Sequence, residues 1–437
     1  MTVCTTKKIE FARSKGRKIE AEFSGGNITS DGGILLLKMA DQKLGLIKKV
    51  ASVIEDPRDQ DKCDHDQITM LRQRIFGLAL GYEDLNDHDT LRKDKALQVA
   101  VEKSDDLASS PTLCRLENRI NSKAMWQISE ALVDVFIQSH KKSPRKLILD
   151  FDATNDPVHG GQLGAVFHGY YDQYCFLPLY VFCGEFLLAA YLRPGDSDAA
   201  KHAWGILALL VKKLRQAWPK VKIIFRGDRG FCKHQIMNWC ENNSVDFIVG
   251  IGKNNRLLKV SQSLIDQAAG QYRQTEKKQR LFDDFEYAAG SWKRPRRVIV
   301  KAEHTYKGSN PRYVVTSLTG DPRYLYDKVY CARGEMENRI KEQQLYLFSD
   351  RTSCMNWFPN QLRVLLSGIA YTLLQTIRRL GLCHTDLAKA RCDTIRLKLL
   401  KIGAVIIENT RRVRFLLSSA YPWQNLFRQV VKNLEGG

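Results

Sequence analysis

No C-x-x-C pair occurs in this chain, and its eleven cysteines, scattered from Cys4 to Cys392, are an odd number. That pattern supports neither a zinc finger nor a disulfide framework, and free thiols are the expected state. Long apolar runs are missing as well. The longest uncharged stretch near the C-terminus, Val364 to Ile377, is too short to span a bilayer, and Met1 to Lys18 is polar and basic where a secretory signal needs an apolar core. The expectation is a cytoplasmic protein with no membrane partner. No glycine-rich loop ending in Gly-Lys-Ser or Gly-Lys-Thr occurs, so nucleotide hydrolysis and a nucleotide cofactor have no support. Acid is also scarce: 48 Asp and Glu face 68 Lys and Arg, a net charge of +20 spread along the whole length. A polyanion is the natural partner of such a surface.

What is present falls into segments of different texture, over a length sufficient for roughly two to four domains. Residues 1–145 read mainly as helices, expected to form a helical DNA-binding region. Ser30-Asp31-Gly32-Gly33 precedes the apolar run Ile34 to Leu37, which places Ser30 or Asp31 as a helix cap. A second helix is expected from Asp66 to Gly81, with Ile68, Leu71, Ile75 and Leu78 at helical spacing; a third begins at Ser110-Pro111, and another runs from Ala124 to Gln138. The texture changes at Lys146. Leu147 to Phe151, Leu177 to Cys183 and Phe186 to Leu192 read as consecutive strands, followed by the helix Ala199 to Trp218, the strand Val221 to Phe225, a helix near Lys233 to Asn242 and the strand Phe247 to Ile251. This order predicts an α/β core with a mixed sheet over residues 146–256. Residues 257–320 are polar, with strands such as Arg297 to Ala302 and Tyr313 to Ser317, and read as a β-rich insertion. Residues 321–380 return to helices, Leu325 to Gln344 and Asn360 to Leu380. Residues 381–437 form a basic C-terminal region; from Arg378 onward there are twelve Lys or Arg against four Asp or Glu.

The carboxylates at the ends of these elements carry the chemistry. The strand Leu147-Ile148-Leu149-Asp150-Phe151-Asp152 ends in two acids that its period of two places on one face. Such a pair at the end of a buried strand is costly without compensation, and a hard metal ion is the simplest compensation. The next candidate strand runs into Arg226-Gly227-Asp228-Arg229-Gly230-Phe231, delivering Asp228 between glycines that permit a tight turn. A salt bridge from Asp228 to a flanking arginine is the competing reading. Further on, Tyr330, Arg333, Glu337 and Lys341 recur at intervals that share one helical stripe. Arg333 and Lys341, one turn either side of Glu337, fit simple surface pairing. They fit equally a metal-binding carboxylate between two phosphate-contacting cations.

In these motifs the chain resembles the DDE transposases of bacterial insertion sequences, whose RNase H-like core supplies Asp, Asp and Glu in that order. Asp152-Ala153-Thr154 matches the first motif, Phe225 to Phe231 the second, and Tyr330-x2-Arg333-x3-Glu337 the tyrosine, arginine and glutamate of the family's Y-R-E-K signature. The signature's lysine would fall at Gln344; Lys341 is the nearest substitute. Leu78 to Asp87 and Ser110 to Asn118 also look like N-terminal blocks of one subgroup. The resemblance implies an RNase H-like mixed sheet flanked by helices and interrupted by the β-rich insertion. It implies that Asp152, Asp228 and Glu337 are catalytic and hold two Mg²⁺, with Mn²⁺ able to substitute, and it leaves Asp150 as the rival first ligand. Expected DNA contacts are Tyr330, Arg333, Lys341, Arg226 and Arg229. His159 reads as a turn histidine. The implied activity is cleavage and joining of double-stranded DNA at an element's terminal inverted repeats, by a homodimer on DNA. The competing classes are an RNase H-like nuclease without transposition and a silent DNA-binding derivative.

Overall fold

The computed structural model describes residues 8–436. Its contacts divide the chain into two units that differ from the five sequence segments: one joins Met1–Arg119 to Leu373–Gly437, the other is Ile120–Thr372.

The second unit is built on a nine-stranded mixed sheet. Its main strands are β1 (Lys146–Ala153), β2 (Leu179–Cys183), β3 (Phe186–Tyr191), β4 (Lys222–Gly227), β5 (Asp246–Ile251), β6 (Gln279–Tyr287), β7 (Arg296–Thr305) and β8 (Arg312–Thr316). Their spatial order is β6-β7-β8-β5-β4-β1-β2-β3, with the short Gly308–Ser309 paired to β7. β4 runs parallel to both β1 and β5, while β2 is antiparallel to β1 and β3 to β2. This is the mixed α/β architecture expected. The region expected as a β-rich insertion is continuous with the core, because β8 pairs antiparallel with β5 and β7 with β8. It also holds a helix, Gln262–Thr275, whose buried side chains are only Ile265 and Ala268. So narrow an apolar stripe leaves little helical signal in the sequence.

Alternation along β1 sorts the core. Leu147, Leu149 and Phe151 face a large apolar cluster with Val133 and Phe136 of the helix Ser122–Gln138 and Leu207, Leu210 and Leu214 of the helix Ala203–Ala217. Ile148 faces the opposite side, where Ile224, Ile248, Ile299 and Val314 pack under Leu325, Tyr326 and Val329. The same period of two sends Asp150 and Asp152 to that second side, beneath the helical segment that follows residue 324. A fully buried leucine or phenylalanine contributes about 1.5–3 kcal/mol, so the register of β1 is strongly specified.

Residues 1–145, read as mainly helical, also contain strands. The first unit opens with a two-stranded ribbon, Ile9–Ser14 and Arg17–Ala21. The expected helix from Asp66 is Gln67–Leu80; Asp66 accepts the Thr69 N–H at 2.7 Å, and Gly81 ends it at φ 99°. Asp31 does not cap the first helix, Leu35–Leu44, whose N-cap is Ile34. Its carboxylate instead takes the Tyr82 hydroxyl and the Lys401 ammonium, both at 2.7 Å. Gly32 and Gly33 donate to the carbonyls of Ile402 and Leu400, and a Cβ on Gly33 would lie 1.8 Å from the Leu399 carbonyl oxygen. The Asp-Gly-Gly run is therefore a docking site for backbone of the C-terminal segment, where the strand Ala404–Asn409 also pairs with Ile28–Thr29. Ten cysteines are free, and Cys4 lies outside the described residues. Among the described residues, no helix is long and apolar enough to cross a membrane.

Candidate active site

The parallel register of β1 and β4 explains which residues meet. Asp150 lies opposite Arg226 and Phe151 opposite Gly227, so the next step along both strands carries Asp152 and Asp228 to adjacent strand ends. The two pairs of neighbours then behave differently. Asp150 is 3% exposed, and Arg226, 6% exposed, grips both of its oxygens, with Nη2 to Oδ2 at 2.7 Å. Arg226 also donates to the Val329 carbonyl. Burial pushes the Asp150 carboxyl up, and Arg226 opposes it. Arg226 was expected at the DNA surface; the structure commits it to the interior, because the register sets its side chain beside a buried acid. The same pairing engages both Asp150 oxygens in the interior.

Asp228 is held by its own loop. Its Oδ1 accepts the Gly230 N–H at 2.8 Å, capping the turn Arg229–Phe231. Gly227 makes that turn possible, since a Cβ there would sit 2.9 Å from the Phe231 Cβ, and the Phe231 ring then folds back onto Phe151 and Phe225. No ion pair joins Asp228 to Arg226. Arg229 is exposed beside it.

Glu337 comes from the helix Gly334–Lys341. The stripe expected as one regular helix is interrupted: Leu325–Tyr330 and Glu342–Tyr346 are wide i→i+5 turns, and Cys331–Arg333 is a tight i→i+3 turn. Wide turns of this kind occur disproportionately at functional sites. Here they bring Arg333 over the strand ends, where its fork spans two acids. Nη1 donates to Asp152 Oδ2 at 2.8 Å and Nη2 to Glu337 Oε1 at 2.6 Å. Burial pushes Asp152 up to about 7; Arg333 opposes this, and the charges of Asp228 and Glu337 reinforce it. Burial lowers the Arg333 guanidinium, but Asp152 and Glu337 outweigh it and hold it above its ordinary value.

Several neighbours were not foreseen. Tyr171 lies close enough that burial, Asp152 and Asp228 together raise its hydroxyl. Gly250 in β5 is a second: a Cβ there would fall 2.5 Å from the Tyr330 hydroxyl oxygen. A glycine inside an otherwise apolar strand was the available signal for such a close approach. Tyr330 is half-buried at this contact. Lys341 is exposed, and Gln344, at the position of the signature's lysine, donates to the Asn155 carbonyl at 2.8 Å, tying down the chain that leaves Asp152. His159 is exposed.

Two clefts meet at Asp228. One, of about 350 Å³, is lined by Asp152, Tyr171, Asp198 and Arg229; the other, of about 620 Å³, by Lys253, Lys301, Arg312, Tyr326 and Tyr330, with Arg229 on both. Among the described residues, no three His, Cys, Asp or Glu side chains stand close enough to hold an ion as they are placed. Carboxylate oxygens are nevertheless the donor type that a hard divalent cation takes; burial and the charges of Asp228 and Glu337 disfavour the ionisation of Asp152, and Arg333 is the cation, among the described residues, that pairs with both Asp152 and Glu337.

Residues 11–436 match the family model described as "Transposase DDE domain group 1". No curated protein matches in sequence. One similar solved structure is a piggyBac transposase synaptic complex with hairpin DNA, at 10% identity and a TM-score of 0.40, covering 81% of this chain and 77% of that one.

Proposed function

The chain belongs to the DDE transposases of that family, and from this premise we propose that it cuts the terminal inverted repeats of a mobile element and joins the freed ends to target DNA, with Asp152, Asp228 and Glu337 as the catalytic acids. The observation that carries this reading is the parallel register that delivers Asp152 and Asp228 side by side, with Glu337 tied to Asp152 through one guanidinium.

Asp152, Asp228 and Glu337 would hold two Mg²⁺, or Mn²⁺ in their place; when bound, such ions activate an attacking oxygen and stabilise a leaving one at phosphorus. Asp150, closed off by Arg226, fixes the strand from which Asp152 projects. Arg229, Lys253 and Arg312 line the clefts on either side of Asp228 and suit phosphate oxygens. Arg333 offers the fork that matches phosphate bidentately, and binding DNA there would exchange carboxylate partners for phosphate. Tyr330, seated over Gly250, holds the wall of the larger cleft. Lys341, exposed one turn beyond Glu337, is placed to add a further cation. With water as the nucleophile, its oxygen bonds to phosphorus as the P–O3′ bond breaks, leaving a 5′-phosphate and a 3′-hydroxyl; with that hydroxyl as the nucleophile, a new P–O bond to target DNA forms as a target P–O3′ bond breaks and releases a target 3′-hydroxyl. Pairing two ends calls for two copies of the chain on DNA.

Asp228→Asn tests the assignment. The expected result is loss of strand cleavage on a duplex carrying the element's end, with binding of that duplex retained; cutting at the wild-type rate would remove Asp228 from the site.

A further inference from the structure

The ribbon Ile9–Ser14 and Arg17–Ala21 stands apart from every other feature of the first unit. Each residue of both strands is exposed, and the two strands form a sheet of their own. A lone two-stranded hairpin is marginal in water, so its persistence needs local causes. The turn is one: Lys15 at φ 46° and Gly16 at φ 81° give the two positive values that a tight hairpin turn of matching twist requires. A bulge is another: the register shifts between Phe11 and Ser14, which tightens the right-handed twist. The ionic ladder on one face is a third: Lys18 meets Glu10 at 2.6 Å and Glu20 at 2.7 Å, and Lys8 meets Glu20 at 3.4 Å.

This ladder separates two kinds of charge. The acids of the ribbon are all near its base and are all engaged there by Lys8 and Lys18. From Phe11 to Ile19 there is no acidic residue, and among the described residues no ion pair reaches Arg13, Lys15 or Arg17. The tip is thus a small, uncompensated cationic point on a stiff, twisted ribbon. The duplex major groove is wide enough to admit a two-stranded β-ribbon, and its rims are phosphate.

We infer that the ribbon is a DNA-contacting arm, with Arg13, Lys15 and Arg17 at its tip engaging phosphates of a duplex. The inference rests on the chain's acting on DNA, and it adds a grip on the duplex that the active-site clefts do not supply. The opposite face of the ribbon, with Ile9, Phe11 and Ile19 exposed, marks the rival occupant, a protein surface.

A salt titration of the full-length protein on a 30-base-pair duplex of arbitrary sequence decides between them. Each phosphate that is no longer neutralised lowers the slope of log K against log salt by about 0.9, so the triple variant Arg13→Ser, Lys15→Ser, Arg17→Ser is expected to reduce it by about 2 to 3. The charge-keeping variant Arg13→Lys, Arg17→Lys is expected to retain the wild-type slope. A triple variant with wild-type affinity and slope overturns the arm and leaves the apolar face as the ribbon's working surface. An equal reduction of the slope in the lysine variant also overturns it, because charge would not be the cause. A wild-type protein that ignores duplex DNA altogether sinks the transposase reading and the arm with it, whereas normal end cleavage by the wild type beside an unchanged triple variant sinks the arm alone.

Discussion

Two arginine–carboxylate contacts lie two residues apart on one face of β1, and they differ in everything except chemistry. Inside the sheet, Asp150 and Arg226 face each other in register, almost wholly buried, with both carboxylate oxygens taken. At the strand end, Asp152 and Arg333 are partly open, with side chains 15% and 17% exposed, and Arg333 divides its fork between Asp152 and a Glu337 that is 46% exposed. A step of roughly 6–7 Å along the strand converts a closed pair into one whose partners can be exchanged. The closed pair is locked into the fold, because any rival for either charge would have to enter a buried site. The open one faces clefts from which a cation or a phosphate can reach it.

The comparison can be broken from the interior first. Arg226→Met leaves Asp150 buried without its counter-charge, which costs about 3–5 kcal/mol. Denaturant unfolding is the measurement, and adding Asp150→Leu to the same chain is expected to recover most of the loss. A cost below about 1 kcal/mol would mean that the interior pair is as open as the outer one. Gly250→Ala comes next. Its Cβ would lie 2.5 Å from the Tyr330 hydroxyl oxygen, and overpacking of this kind costs about 1–3 kcal/mol. Tyr330→Phe in the same background is expected to relieve it; an unchanged melting temperature for Gly250→Ala would show that Tyr330 swings clear without penalty. The smallest effect on stability is expected at the strand end. Asp152→Asn removes a charge that burial and the neighbouring acids already disfavour, so in metal-free buffer it is expected to melt within about 0.5 kcal/mol of the wild type while cutting no DNA. A large loss of stability there would place Asp152 with Asp150 as a structural acid.

The same pair marks the limit of what could be read from the chain alone. Apolar runs ending in acid made both strand ends legible, and the α/β texture of residues 146–256 follows from runs such as Leu147 to Phe151. A period of two, however, sets Asp150 and Asp152 on the same face and cannot rank them. What separates them is the register with β4, a contact across 76 residues, and this also removed Arg226 from the expected DNA contacts. The continuity of residues 257–320 with the core was hidden for the same reason: the pairing of Ile251 with Tyr313 is set by geometry far from either segment. Glu337 was singled out through its motif, but the wide turns around it leave no mark in residue type. The N-terminal ribbon, by contrast, was legible. Ile9, Phe11, Ile19 and Ala21 alternate about a Lys-Gly turn, a short-period signal inside a segment whose longer apolar runs are helical.

The two-part make-up of the first unit bears on how the protein comes into being. Ile28 and Gly33 find their backbone partners only at Val405 and Leu400, close to the end of the chain. At ordinary rates of about 5–20 residues per second, the ribosome delivers those partners tens of seconds after the glycines emerge. By the end of that interval the unit bearing the acids is fully synthesised, while the other still waits for its last pieces. A product that stopped between Leu373 and Leu400 would therefore hold the whole of the acid-bearing unit and leave Ile28 and Gly33 without their backbone partners.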